Sequence, residues 1–123
     1  MPTRRSDEGR VSADIALAFG HGDCRLWRNN TGALKDARGQ LVRYGLCPGS
    51  PDRVGLRTII VTPEMVGKKI AVFAAIEVKD RGRPTKQQQT FIKFVQDAGG
   101  LAGFAHNVGE ARAILYPNWL PPV

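Results

Sequence analysis

Glu77-Val78-Lys79 places two opposite charges two residues apart at the end of an apolar run. Side chains alternate along a strand, so Glu77 and Lys79 share one face and Ile76 and Val78 the other. Such charges are costly there unless they pair with each other or serve a reaction. A second carboxylate, Asp52, leaves the Gly49-Ser50-Pro51 loop and enters another apolar segment. A turn-stabilising role would explain it. If the strands bearing Asp52 and Glu77 are neighbours, the two carboxylates meet at one sheet edge. They repel there unless a divalent cation lies between them. Oxygen-only ligands suit Mg²⁺, with Mn²⁺ as a substitute, and the Val78 carbonyl offers a third ligand. Lys79 beside such an ion could orient an attacking water and offset charge on a phosphate. Thr85-Lys86-Gln87-Gln88 reads as a capping box, with Thr85 as N-cap and Gln88 at N3. Gln88 also precedes Phe91 and Val95 by three and seven residues, which turns it toward the core side and toward the same edge.

These acidic groups sit in basic surroundings. The 123 residues carry 18 Lys+Arg and 11 Asp+Glu, a net +7. Residues 24–93 alone hold 14 basic and 5 acidic side chains, +9, while the segments on either side carry −1 each. A charge excess in the middle of the fold suits a polyanionic partner held by structured elements, although a solubilising surface would give the same sum. Two cysteines, Cys24 and Cys47, make no disulfide framework and match no zinc-ligand spacing. The start of the chain shows no apolar signal segment, and no apolar run nears the roughly 20 residues of a membrane span. The expectation is a cytoplasmic protein with no membrane association.

The elements that must position these residues follow from periodicity and turn chemistry. Residues 1–9 read as flexible. Val11, Ile15, Ala18 and Phe19 recur at helical spacing, and Gly20 and Gly22 end that helix. Residues 24–28 and 39–44 alternate as strands, with turn chemistry at Asn29-Asn30-Thr31-Gly32. Residues 53–61 read as a strand, and residues 70–79 as a central strand buried on both sides. Residues 85–98 form the clearest helix, with Phe91, Phe94, Val95 and Ala98 as its apolar face, stopped by Gly99-Gly100. A short strand at 101–105, a helix at 110–115 and an extended tail at 116–123 complete a single α/β domain over residues 1–123. Helices flank a mixed β-sheet.

In order and spacing, Pro51-Asp52, Glu77-Val78-Lys79 and Gln88 resemble the PD-(D/E)XK nuclease superfamily. More narrowly they resemble the small stand-alone VRR-NUC nucleases of phages and bacteria. Supporting residues are Arg28-Asn29-Asn30-Thr31-Gly32, Gly45-Leu46-Cys47-Pro48-Gly49-Ser50, Arg83-Pro84-Thr85-Lys86-Gln87 and Ala98-Gly99-Gly100-Leu101-Ala102-Gly103. The resemblance covers roughly residues 11–115. It implies a restriction-endonuclease-like core of order α-β-β-β-α-β-α and metal-dependent hydrolysis of DNA phosphodiesters. It assigns metal binding to Asp52 and Glu77, the catalytic lysine to Lys79 and a helix glutamine to Gln88. It further implies a homodimer, with some relatives preferring branched DNA such as four-way junctions. Two positions depart from the pattern. Where many relatives have an acidic residue in the first helix, this chain has Arg10, with Glu8 two residues away. Where relatives carry Arg-Ser after the Gly-Gly strand, it has His106-Asn107.

Candidate phosphate contacts are Arg28, Arg43, Arg53, Arg81, Arg83 and Lys86, joined by Arg25 and Arg57. Asn30, and Asn29 beside it, could reach sugar or base edges, or serve the turn. No base-reading motif is present, which favours recognition of DNA shape. Trp27 fits core packing and Trp119 docking of the tail; either could also stack on bases. The apolar tail is a candidate dimer contact. The rival reading is a non-catalytic basic nucleic-acid-binding protein. It explains the +9 region and leaves the acidic pair within it without a role.

Overall fold

The computed structural model describes residues 4–120. The outermost parts of the expected flexible start and extended tail, residues 1–3 and 121–123, lie outside them. The chain divides into two compact units, Met1–Ile59 and Ile60–Val123. It is α/β, with three helices and three two-stranded sheets among the described residues. No described helix is long and apolar enough to cross a membrane.

The first unit contains α1 (Arg4–Phe19), β1 (Cys24–Arg28), β2 (Gly32–Lys35), β3 (Leu41–Tyr44) and β4 (Arg53–Arg57). The helix thus starts well before residue 11, inside the segment expected to be flexible. Its half-buried residues include Ser12 and Ala16, while Val11, Ile15 and Phe19 of the expected apolar face are exposed. β2 and β3 form a hairpin whose turn is tied by Asp36: its Oδ1 accepts from the Arg38 and Gln40 amides at 2.8 and 2.9 Å. β1 and β4 pair antiparallel, from Cys24 opposite Arg57 to Arg28 opposite Arg53. β4 ends earlier than the apolar run through residue 61 suggests, because its partner runs out: the Thr58 N–H donates to Asp23 O at 2.7 Å, and Asp23 already belongs to the turn after α1.

The second unit is a strand–helix–strand–helix run. A 3₁₀ turn (Pro63–Met65) precedes β5 (Ala74–Val78), α2 (Lys86–Asp97), β6 (Leu101–Ala105) and α3 (Val108–Leu115). β5 and β6 pair parallel, Ala74 with Leu101 through Val78 with Ala105. Parallel pairing needs a crossover, and α2 supplies it. The buried group Ile92, Val95 and Ala102, with Phe73, Ala75, Phe94 and Phe104 packed on it, joins α2 to one face of the strand pair. α3 covers the other face. A Cβ on Gly103 would stand 2.7 Å from Ile114 Cδ1, so that helix sits as close as it does only over glycine.

Three expectations are corrected. Five strands, where the resemblance implies three, stand between α1 and α2, and together with β6 they form three separate pairs in place of one mixed sheet. The strand covered on both faces is β6, whose Leu101, Ala102, Gly103 and Ala105 are buried. β5 is five residues long and ends at Val78, which is 75% exposed. The physical reason is partner length: Gly99-Gly100 and the Asn107 cap confine β6 to five residues, so β5 can pair over no more. The buried stripe of α2 is Ile92 and Val95; Phe91 is 40% exposed.

Candidate active site

Glu77 and Lys79 stand at the C-terminal end of β5, on the face covered by α2. Two backbone bonds frame the ladder: Leu101 N–H to Phe73 O at 2.9 Å and Lys79 N–H to Ala105 O at 3.0 Å. Backbone groups along a parallel strand alternate sides, so residues 73, 75, 77 and 79 address β6. Ala74, Ile76 and Val78 turn their N–H and C=O groups to the opposite edge. The Val78 carbonyl is therefore not spent on β6.

α2 enters this face by its N-terminus. Thr85 Oγ1 accepts from the Gln88 N–H at 3.1 Å, and Gln88 Oε1 accepts from the Thr85 N–H at 3.0 Å, completing the capping box. With its oxygen so used, the amide presents its nitrogen to the strand, and Gln88 Nε2 donates to Glu77 Oε1 at 2.9 Å. One side chain thus caps the helix and orients the carboxylate. The orientation of the amide is fixed because only an oxygen can accept at the cap and only the nitrogen can donate to a carboxylate.

Lys79 Nζ lies 3.7 Å from the same Oε1, with the Glu77 side chain 36% and the Lys79 side chain 15% exposed. At this separation and solvation an ion pair is worth about 0–1 kcal/mol. That is a small return for covering most of a lysine side chain. Glu77 Oε2 has no hydrogen-bond partner among the described residues. Carboxylate and carbonyl oxygens are the ligand type a hard divalent cation takes. Among the described residues no three His, Cys, Asp or Glu side chains form a metal-holding group.

Asp52 belongs to the first unit. Its side chain is exposed, with no hydrogen bond or ion pair to the described residues, while its backbone carbonyl accepts from the Asn29 N–H at 2.7 Å. Just beyond Asn29 and Asp52 in the pairing, Arg28 and Arg53 stand directly opposite each other. Like charges in that position repel, and each guanidinium takes a neutral partner: Arg28 Nε donates to Asn30 Oδ1 at 2.7 Å and Arg53 Nε to Ser12 Oγ at 3.0 Å. Asn30 therefore acts as the acceptor for Arg28. Arg43 lines a shallow recess with Thr31, Tyr44 and Cys47. In the second unit Arg81, Arg83 and Lys86 are exposed around the loop that leads from Lys79 into α2. Arg57 stands 3.7 Å from Asp23, and Arg25 donates to the Gly22 and Cys24 carbonyls at 2.8 Å. Cys24 and Cys47 are free thiols. Trp27 is half-buried, whereas Trp119, expected to dock the tail, is 68% exposed.

Two arrangements had no clear sequence signal. His106 follows β6, and Glu110 on α3 folds back to it: Glu110 Oε1 accepts from the His106 N–H at 2.8 Å and lies 2.8 Å from His106 Nδ1. The backbone N–H of His106, and after it the ring, holds the Glu110 carboxyl below the usual carboxylate range. The other is the Asn29–Ser50 bond at 2.8 Å, which spans 21 residues. Its one available cue was that paired strands bring the residues just outside their ends together. No family model matches the chain, and neither the curated proteins nor the solved structures compared with it contain a match.

Proposed function

We propose that this protein is a Mg²⁺-dependent, structure-selective DNA endonuclease with a restriction-endonuclease-like core, acting on branched DNA such as four-way junctions. The observation that carries the reading is the shared amide of Gln88, which closes the capping box and holds Glu77 beside the covered Lys79. A strand-end salt bridge alone needs neither the third partner nor the covered lysine.

Asp52, Glu77 and the Val78 carbonyl would hold the ion, with Mn²⁺ as a substitute. When bound, Mg²⁺ supplies Lewis-acid polarisation of the phosphate and lowers the pKa of a water. Gln88 keeps one Glu77 oxygen turned inward, leaving the other free. Lys79 donates to and orients the attacking water and offsets charge building on the phosphate. Water adds to phosphorus as one P–O ester bond breaks, leaving a phosphate monoester and a free hydroxyl. Arg81, Arg83 and Lys86, beside the site in the chain, and Arg28, Arg43 and Arg53 in the first unit, contact backbone phosphates. A homodimer would present two such sites to a junction.

The test is cleavage of labelled junction and duplex DNA with Mg²⁺, with Mn²⁺ and with chelator. Cutting only with metal, strongest on the junction, supports the reading. Metal-independent binding without cleavage on any substrate favours the non-catalytic binder. Light scattering at micromolar concentration reads the dimer, and a monomer alone removes that part.

A further inference from the structure

Asn29 follows β1 directly, where a contact to DNA or a turn role would each be natural for an asparagine. Its side chain is engaged by a second loop. Nδ2 donates to Ser50 Oγ at 2.8 Å and to Pro51 O at 2.9 Å, and Oδ1 accepts from the Leu46 N–H at 3.1 Å. Its backbone N–H donates to Asp52 O at 2.7 Å. One half-buried residue therefore grips the Gly45–Asp52 segment at both ends. The network fixes its orientation, because the Leu46 amide needs an oxygen and the Pro51 carbonyl needs a donor. Ser50 carries the grip inward: its Oγ donates to Cys47 O at 2.7 Å, and its N–H reaches the same carbonyl at 3.0 Å. The loop needs such a tie, since Gly45 and Gly49 both take positive φ, 85° and 86°, and no strand pairing spans it.

We infer that Asn29 is a positioning residue for Asp52, setting where that carboxylate stands by holding the loop that delivers it. The inference rests on the nuclease reading. Groups that orient a metal-binding carboxylate change metal affinity or activity by about 10- to 100-fold when removed. Mn²⁺ is the probe, its binding to the full chain followed by electron paramagnetic resonance, alongside the Mg²⁺ dependence of junction cleavage.

Asn29→Ala should weaken Mn²⁺ binding and raise the Mg²⁺ needed for half-maximal cleavage, each by about 10-fold or more, with junction affinity unchanged. In an Asp52→Asn background the same change should add nothing to the loss of Mn²⁺ binding, since its target is already gone. Ser50→Ala removes the hydroxyl's links to Asn29 and Cys47 but leaves the Asn29 bonds to Leu46, Pro51 and Asp52, so it should shift both readouts less, in the same direction; it carries the test if Asn29→Ala fails to fold. Wild-type metal dependence in both variants would overturn the inference, as would an equal loss of DNA binding. A wild-type chain that cuts nothing with any metal would remove the nuclease reading, and the role of Asn29 in hydrolysis with it. The two failures are distinguishable.

Discussion

Asp52 and Glu77 are both carboxylates at the boundary of a strand, yet they are held in opposite ways. Glu77 is held through its side chain, by Gln88 at 2.9 Å and Lys79 at 3.7 Å, on a face roofed by α2. Asp52 is held through its backbone, by Asn29, and its side chain is left exposed. The first arrangement fixes the direction of a lone pair. The second fixes where a charge stands and leaves its direction to whatever it binds. An oxygen-coordinated cation can use ligands of either kind.

The largest expected effect is at Lys79. Lys79→Ala should reduce junction cleavage by about 10²- to 10³-fold, the usual effect of removing one group that stabilises developing charge. A DNA-binding assay on the same variant should show little change. Equal loss of binding and cleavage would make Lys79 a phosphate contact or a structural pair.

Gln88 sharpens the contrast because its two ends can be separated. Gln88→Ala loses both: about 0.5–2 kcal/mol of stability from the cap, read by urea denaturation, and about 10- to 100-fold in cleavage. Gln88→Glu can still accept from the Thr85 N–H, since glutamate serves at N3 of a capping box, but it cannot donate to Glu77. It keeps the cap and replaces the bond to Glu77 with carboxylate repulsion, so it should lose at least as much cleavage as Gln88→Ala. If the two variants lose activity in proportion to stability, the bond to Glu77 has no separate role.

This divisibility also marks what was legible in the sequence. Thr85-x-x-Gln88 and Glu77-x-Lys79 are local patterns, and the positions they imply are those observed: the capping box forms, and the two charges share a face. Strand limits were not legible, because β4 and β5 stop where their partners stop and not where their own apolar runs end. On α2 only Phe91 departs from the expected face, for a related reason. Phe91 is the more conspicuous residue, but Gln88, Ile92 and Val95 lie in one stripe, and contact with β6 selects that stripe. The grip of Asn29 on residues 46–52 depends on the β1–β4 register, which no short window contains.

A smaller effect tests the second unit as a scaffold. Gly103→Val should cost about 1–3 kcal/mol, because its side chain would press on Ile114 where even a Cβ would come within 2.7 Å. Urea denaturation reads the loss. An unchanged midpoint would mean that α3 does not need its close seat on β6.

The smallest effect concerns Glu110. Its carboxyl titrates below its unfolded value, so its contribution to stability is full above that value and is lost as pH falls through the lowered one. Glu110→Gln should flatten the acid side of the stability profile, measured by thermal denaturation between neutral and acid pH. A profile of unchanged slope would show that the bond to the His106 amide contributes nothing.

Single-turnover cleavage of a labelled four-way junction by the wild-type chain, with Mg²⁺ titrated from zero and chelator as the end point, decides whether the protein is a metal-dependent nuclease. The expected result is no cutting in chelator and cutting that rises with Mg²⁺ to saturation. Cleavage that persists in chelator, or tight binding of the junction with no cleavage at any Mg²⁺ or Mn²⁺ concentration, would contradict it.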